Sequence, residues 1–300
     1  MNKQNAVKDT HPKILYSYSQ LQVSEILFST LFFFLGIAYS TYIGYAIDIP
    51  NLILGLLVVI FFCIGMEFLN LIFSDDLELE SSLKRRYGNI NYKLIFYLVC
   101  IAFIGVGCTI CIFNFWNGAS IFLAGAILLT IFLLTVKPIR LLYSGYGEIS
   151  RALLITFLIP SFAYSIQSGG KIHQTLVYLC IPLFFIVLAH LYITGNRTLS
   201  QDIEKYHTTA VMRFGSLLTL RIAVYLIVFS YVFMLLMGIS KLPWRFSLRW
   251  FLSVPVGLYL IAHLNRILSG KNPNWTLINF LSTSLVMLNL ALMVYTLLFV

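Results

Sequence analysis

The residues best suited to chemistry stand close together in "NLIFSDDLELESSLKRR", residues 70–86. Asp75, Asp76, Glu78 and Glu80 are four of the eleven acidic residues in this 300-residue chain, and Lys84, Arg85 and Arg86 follow at once. On a helix, Glu67, Asn70, Ser74 and Glu78 fall at successive offsets of three, four and four and share one face. Carboxylates crowded in this way repel one another unless they are solvated, paired with bases or neutralised by a bound cation. A hard divalent cation such as Mg²⁺ takes oxygen ligands, keeps several waters and bridges carboxylates to phosphate. The adjacent basic residues suit phosphate oxygens directly. The chemistry indicated is metal-assisted diphosphate binding. A solvated acidic loop with a basic stop-transfer flank is the plainer alternative.

Two further polar stretches interrupt the oily chain. "TGNRTLSQDIEKYHTTAVMRFG", residues 194–215, carries Asn196, Arg197, Asp202, Glu204, Lys205 and His207. "KPIRLLYSGYGEIS", residues 137–150, carries Lys137, Arg140, Tyr143, Tyr146 and Glu148. Its Gly145 and Gly147 allow backbone to come close to a ligand.

The elements that must position these residues are membrane spans. Hydrophobic residues make up 60% of the chain and charged residues 10%, with a mean hydropathy of +0.90. An ordinary soluble domain carries roughly a quarter charged residues, so this composition excludes one. About nine apolar runs are long enough to span: 21–45, 52–74, 92–113, 119–136, 150–166, 174–194, 217–238, 248–268 and 276–299. The runs are continuous rather than alternating, which favours helices over a transmembrane barrel. The breaks contain Pro, Gly, Asn or Trp, and Trp116, Trp244, Trp250 and Trp275 fall near span ends, as an interfacial belt requires. The fold class expected is therefore all-α, a polytopic integral membrane protein with about nine helices around a central cavity. The domain division expected is a tail over 1–20 and one nine-helix domain over 21–300.

Charge sets the orientation. With the N-terminus in the cytoplasm, sixteen of the twenty Lys and Arg residues face inward, and only Lys171, Lys241, Arg245 and Arg249 face outward. The three long polar connections then lie on the cytoplasmic side of the cell's inner membrane, and the cavity opens there. The net charge of +9 is spread between apolar runs with no basic arm, so no nucleic acid is expected as a partner. Glu25 and Glu67 lie near or inside spans, where an ionisable group is costly and marks a candidate site. His190 and His263 lie in or near spans too, and read as hydrogen-bonded packing or interfacial residues rather than as a proton relay. Cys108 and Cys111 form a C-x-x-C inside an apolar run with no further ligand nearby, so they read as packing residues. The first apolar run is too long for a signal-peptide core.

These spans and the order of the three polar stretches resemble the UbiA-type superfamily of intramembrane prenyltransferases, most closely the dihydroxynaphthoate polyprenyltransferases of menaquinone synthesis. "KPIRLLYSGYGEIS" is similar to the family's P-x-R/K-x-x-Y-x-G-x-G-E segment, and "DIEKYHTTAVMRFG" to its D-x-x-x-G-K-x-T-x-A-V-R-x-G ending. The family's first motif begins N-D-x-x-D. Here Asn70 matches, Leu71 and Ser74 stand where two Asp are expected, Asp75 and Asp76 follow Ser74 by one and two positions as substitutes, and Glu78 takes the last acidic place. In the second motif Thr198 replaces the first Asp and Asp202 keeps the second. Arg197 matches the preceding Arg, and His207 replaces a Lys. An Arg-Pro near the first helix is replaced by "SYSQLQVSE".

The resemblance implies Mg²⁺ held through diphosphate by Asn70, Asp75, Asp76, Glu78 and Asp202. It implies Lys84, Arg85, Arg86, Lys137, Arg140 and Arg197 as diphosphate contacts, and Glu67, Tyr143, Glu148, Asn196 and His207 around the acceptor cavity. The partners would be a prenyl diphosphate donor, a lipophilic or aromatic acceptor and the lipid bilayer. The activity implied is prenyl transfer, as in quinone or related lipid synthesis. A terpene cyclase of the same fold and a non-catalytic isoprenoid-binding member are the alternatives, and a transporter would show internal repeats that this chain lacks.

Overall fold

The computed structural model describes the backbone of residues 11–73, 92–115, 117–204 and 208–299. Side chains are described within these stretches, apart from 11–24, 71, 92–94, 96, 201, 202 and 204. Asp75, Asp76, Glu78, Lys84, Arg85, Arg86 and His207 lie outside the described residues, and Asp202 is described in its backbone alone.

Every long element is a helix, because in hydrocarbon a helix satisfies its own backbone. In chain order they are α1 (His11–Tyr42), α2 (Ile49–Phe73), α3 (Tyr92–Asn114) and α4 (Gly118–Thr135). A continuous rod, α5 (Gly147–Gln167), contains a π-helical turn over Leu154–Leu158. Then come α6 (Gln174–Glu204), the short α7 (Ala210–Phe214), α8 (Ser216–Ser240), α9 (Trp244–Phe251), α10 (Val254–Leu268) and α11 (Trp275–Leu298). Among the described residues eight helices are long and apolar enough to cross a membrane, and α9 with α10 makes a ninth if that bent pair is one span.

Three expectations shift. The run expected to span as one piece over 248–268 is broken, and α9 meets α10 at 49°. Pro255 stands in the first turn of α10, where its missing N–H costs nothing, whereas inside a continuous helix it would break the ladder. The polar connection expected over 195–216 is mostly helix, since α6 continues to Glu204. Its 31 residues span about 46 Å at 1.5 Å each, so its end projects beyond a hydrocarbon core of about 30 Å. Finally, α1 starts at His11, ahead of the apolar run, while the part able to span is Glu25–Tyr42.

Two buried apolar clusters organise the bundle. One joins α1 and α5 to α6 and the helices that follow, through Phe32, Leu35, Leu183, Ile227 and Val286. The other joins α1 and α5 to α2, α3 and α4, through Phe33, Ile37, Phe62, Ile131 and Phe162. Thus α1 and α5 form a seam shared by both halves, and α1 also packs against α11. Lipid gives helices little hydrophobic reason to associate, so polar contacts between them carry weight. Ser120 and Ser165 hydroxyls meet at 2.8 Å between α4 and α5, and Ser230 Oγ donates to the Pro182 carbonyl at 3.0 Å between α8 and α6.

Candidate active site

One end of the seam gathers the polar side chains. The segment 137–150 begins with an unusual backbone: Arg140 has φ 36°, the left-handed region a non-glycine residue rarely adopts. That turn folds its guanidinium over the Tyr143 ring, 3.9 Å from the centroid. The Tyr143 hydroxyl in turn donates to Asn70 Oδ1 at 2.9 Å, at the end of α2. Arg140 and Tyr143 are therefore brought together with Asn70, 73 residues from Tyr143 in sequence.

Two glycines let this segment fold tightly. Gly145 has φ +81°, and a Cβ there would lie 2.9 Å from Arg213 Cδ. A Cβ at Gly147 would lie 2.7 Å from the Leu142 Cα, backbone that cannot step aside. The tight fold lets 144–148 meet the chain after α6. Ser144 pairs with Thr208 in an isolated parallel bridge, and Arg213 Nη1 donates to the Ser144 carbonyl at 3.0 Å. The Arg213 guanidinium lies over the Tyr146 ring at 4.4 Å.

Glu148 is buried in the first turn of α5. Its Oε1 accepts from the Ala210 backbone N–H at 3.1 Å, where α7 begins. A carboxylate on the N–H groups of a helix start is favourably placed. The buried Oε2 has no hydrogen-bond partner among the described residues. Glu148 therefore locks the stretch after α6 against α5.

Three residues on, Arg151 Nη1 lies 3.0 Å from Glu25 Oε1 on α1. Glu67 and Glu148 lie within electrostatic reach of the same guanidinium. Three carboxylates thus surround one arginine at this end of the seam. Met66, Glu67, Asn70, Leu134, Thr135, Leu142 and Arg151 line a narrow cleft between α2, α4 and α5. Arg151 escaped sequence reasoning, which counted it only among inward-facing bases. The available signal was an arginine three residues after Glu148, one turn into an apolar run.

The structure does not bring every expected residue to this cleft. Asn196 is buried; Nδ2 donates to Tyr192 O at 2.9 Å within α6, and the amide joins α6 to α8 through Nδ2 to Thr219 Oγ1 at 3.0 Å and through Oδ1, which accepts from Ser216 Oγ at 2.6 Å. Arg197 and Lys137 are exposed at the same end of the molecule. The helical course of α6 places residues 198 and 202 one turn apart on one face. Among the described residues no three His, Cys, Asp or Glu side chains converge to hold a metal ion. His190 Nδ1 pairs with Ser282 Oγ at 3.0 Å within the bundle, as a packing histidine does.

The arrangement defines a class first: an all-helical, multi-pass membrane protein with a polar, charged cleft at one end of a helical seam. No protein-family model and no curated protein sequence matches the chain. Solved structures do match it in fold. A digeranylgeranylglyceryl phosphate synthase superposes with a TM-score of 0.69 at 15% identity, covering 93% of this chain and 99% of that one. A UbiA homolog from Archaeoglobus fulgidus, solved with GPP and Mg²⁺, superposes with a TM-score of 0.59 at 16% identity, covering 89% and 96%. The chain therefore has the UbiA-type fold.

Proposed function

We propose that this protein is a Mg²⁺-dependent intramembrane prenyltransferase that moves an isoprenyl group from a prenyl diphosphate to a lipophilic, aromatic acceptor. The observation that carries this reading is the convergence, at one end of a UbiA-type fold, of Asn70, Glu67, Tyr143, Arg140 and Arg151 around one cleft. A fold relative binds GPP and Mg²⁺.

The donor set fits a hard cation in kind. Asn70 Oδ1 accepts one hydrogen bond from Tyr143, and an amide oxygen has a second lone pair. Magnesium rarely uses an all-protein cage and is commonly held by one or two carboxylates together with phosphate. Asn70 would hold it with Asp75, Asp76 and Glu78 on one side and Asp202 on the other. When bound, it offsets the negative charge that develops on the departing diphosphate. Arg140, Lys137, Arg197 and the 84–86 basic run supply further positive charge to that group.

In the reaction the allylic C–O bond breaks and diphosphate leaves with the electron pair. An acceptor carbon bonds the allylic carbon and then loses a proton, for which Glu67, the carboxylate lining the cleft, would be the base. Met66, Leu134 and Leu142 line the same cleft and limit water, which would otherwise capture the cation. The open ends of the cleft face the cytoplasm in this reading, and quinone or related lipid synthesis is the setting.

The test is turnover in liposomes holding the purified protein, with radiolabelled prenyl diphosphates of stepped length, with and without aromatic acceptors. Acceptor-dependent product that vanishes with EDTA is the expected result. Cyclic hydrocarbon formed without acceptor would replace transfer by cyclisation. Absence of turnover, with lipid mass spectra unchanged in cells lacking the protein, would leave isoprenoid binding alone.

A further inference from the structure

The end of the molecule opposite the cleft holds an unexplained concentration of positive charge. Four of the twenty basic residues were assigned to that side, and Lys241, Arg245 and Arg249 fall within nine residues of one another. Translocated segments generally avoid Lys and Arg, so such a cluster needs a physical reason.

The helix α9 supplies the geometry. It starts after α8 has crossed the bundle, and Phe246 packs edge-on against Tyr42 near the far end of α1, with ring centroids 5.7 Å apart. Its eight residues present three faces. Phe246, Ser247 and Trp250 are buried in the bundle. Trp244 and Leu248, with Leu252 just past the helix end, stand four apart, are 47%, 54% and 65% exposed and form an apolar stripe. Arg245 and Arg249, also four apart, form a cationic stripe between the other two. The 49° bend between α9 and α10 sets this short helix at an angle to its successor, as an interfacial helix leading into a span requires.

The arginines lack counter-charge. Neither makes an ion pair among the described residues, and Arg249 is half-buried, with Nη1 buried and without a hydrogen-bond partner. The Arg249 guanidinium lies 4.9 Å from the Tyr295 ring centroid, which fixes it in place. The acidic residue described at this end, Asp48, is engaged with Asn51 and Gln167 in the α1–α2 loop. A half-buried guanidinium without an anion is costly, and a planar fork of donors suits phosphate.

We infer that α9 forms a binding site for the phosphate of an anionic phospholipid, with Arg245 and Arg249 as its donors and Trp244, Leu248 and Leu252 beside its acyl chains. The apolar stripe is what assigns the site to a lipid rather than to free phosphate. Basic residues at a membrane surface recognise anionic headgroups by this combination of charge and neighbouring apolar area. The site is remote from the cleft and does not depend on the prenyl-transfer reading.

The experiment is native mass spectrometry of the full-length protein from micelles holding equal amounts of phosphatidylglycerol and phosphatidylcholine. Wild type is expected to retain phosphatidylglycerol preferentially. R245Q, at an exposed position, should lower that preference about fivefold, and R245Q/R249Q about 25-fold. K271Q, an exposed base at the opposite end, should leave it unchanged. Preference in R245Q and in R245Q/R249Q equal to wild type would overturn the assignment. So would an equal loss of preference in K271Q, or complete competition by inorganic phosphate.

Discussion

Replacing Arg151 by Met separates the contributions at the seam. The guanidinium is 23% exposed and its partner Glu25 is 11% exposed, with 3.0 Å between the paired atoms. Deleting one member of a buried pair typically costs about 3–5 kcal/mol, chiefly because the surviving charge is stranded. Partial exposure of Arg151 argues for a value at or just below that range, about 2–3 kcal/mol. Three carboxylates then share the site with no cation, so the variant unfolds earlier by about 5–10 °C at roughly 2–4 °C per kcal/mol. Glu25→Gln in the same chain removes the stranded charge, and the double variant should recover at least half of the loss. Thermal unfolding in detergent, followed by tryptophan fluorescence on all four members of the cycle, measures this directly. A fall of less than about 1 °C for R151M, or a double variant no better than R151M alone, would refute the claim that this pair bears on the seam.

The other contacts make narrower predictions. Tyr143→Phe keeps the ring under Arg140 but loses the bond to Asn70, worth about 1 kcal/mol, so a several-fold higher Mg²⁺ concentration should be needed for half-maximal diphosphate release. Glu148→Ala leaves the buried Ala210 N–H without its acceptor, and hydrogen exchange at 208–214 should rise by about ten-fold or more while α8 keeps its protection. Gly147→Ala drives a Cβ into Leu142 backbone and should lower thermal stability by about 1–3 kcal/mol, whereas Gly105→Ala, with nothing within 4 Å, should be neutral or slightly stabilising. Asp202→Ala should abolish turnover without changing the melting temperature; retained turnover would remove Asp202 from the proposed metal set.

The spans were legible because hydrocarbon demands about 20 continuous apolar residues whatever the neighbours are. The approach of residues 137–150 to 208–213 was visible only as a family resemblance. Periodicity shows which face a residue occupies, but not that Glu148 caps α7 or that Gly145 admits the Arg213 side chain. The Arg151–Glu25 pair was illegible for a related reason: its members belong to helices joined by packing rather than by sequence. The end of α6 was misjudged because polar composition marks exposure to water, and a helix projecting from the bilayer is as exposed as a loop. The break at Pro255 had its signal in the proline itself, but a hydropathy run of 21 residues passes over a bend.

The contact between α1 and α11 bears on how this protein comes into being. The helix α1 meets α11 only after all the intervening chain has been made. Until then one flank of α1, the helix that carries Glu25, stays open to lipid. The bundle closes as a ring rather than growing as a stack, and closure is the step with the longest loop to draw in. A nascent chain stopped before Trp275 would hold the seam of α1 and α5 without the wall that completes it.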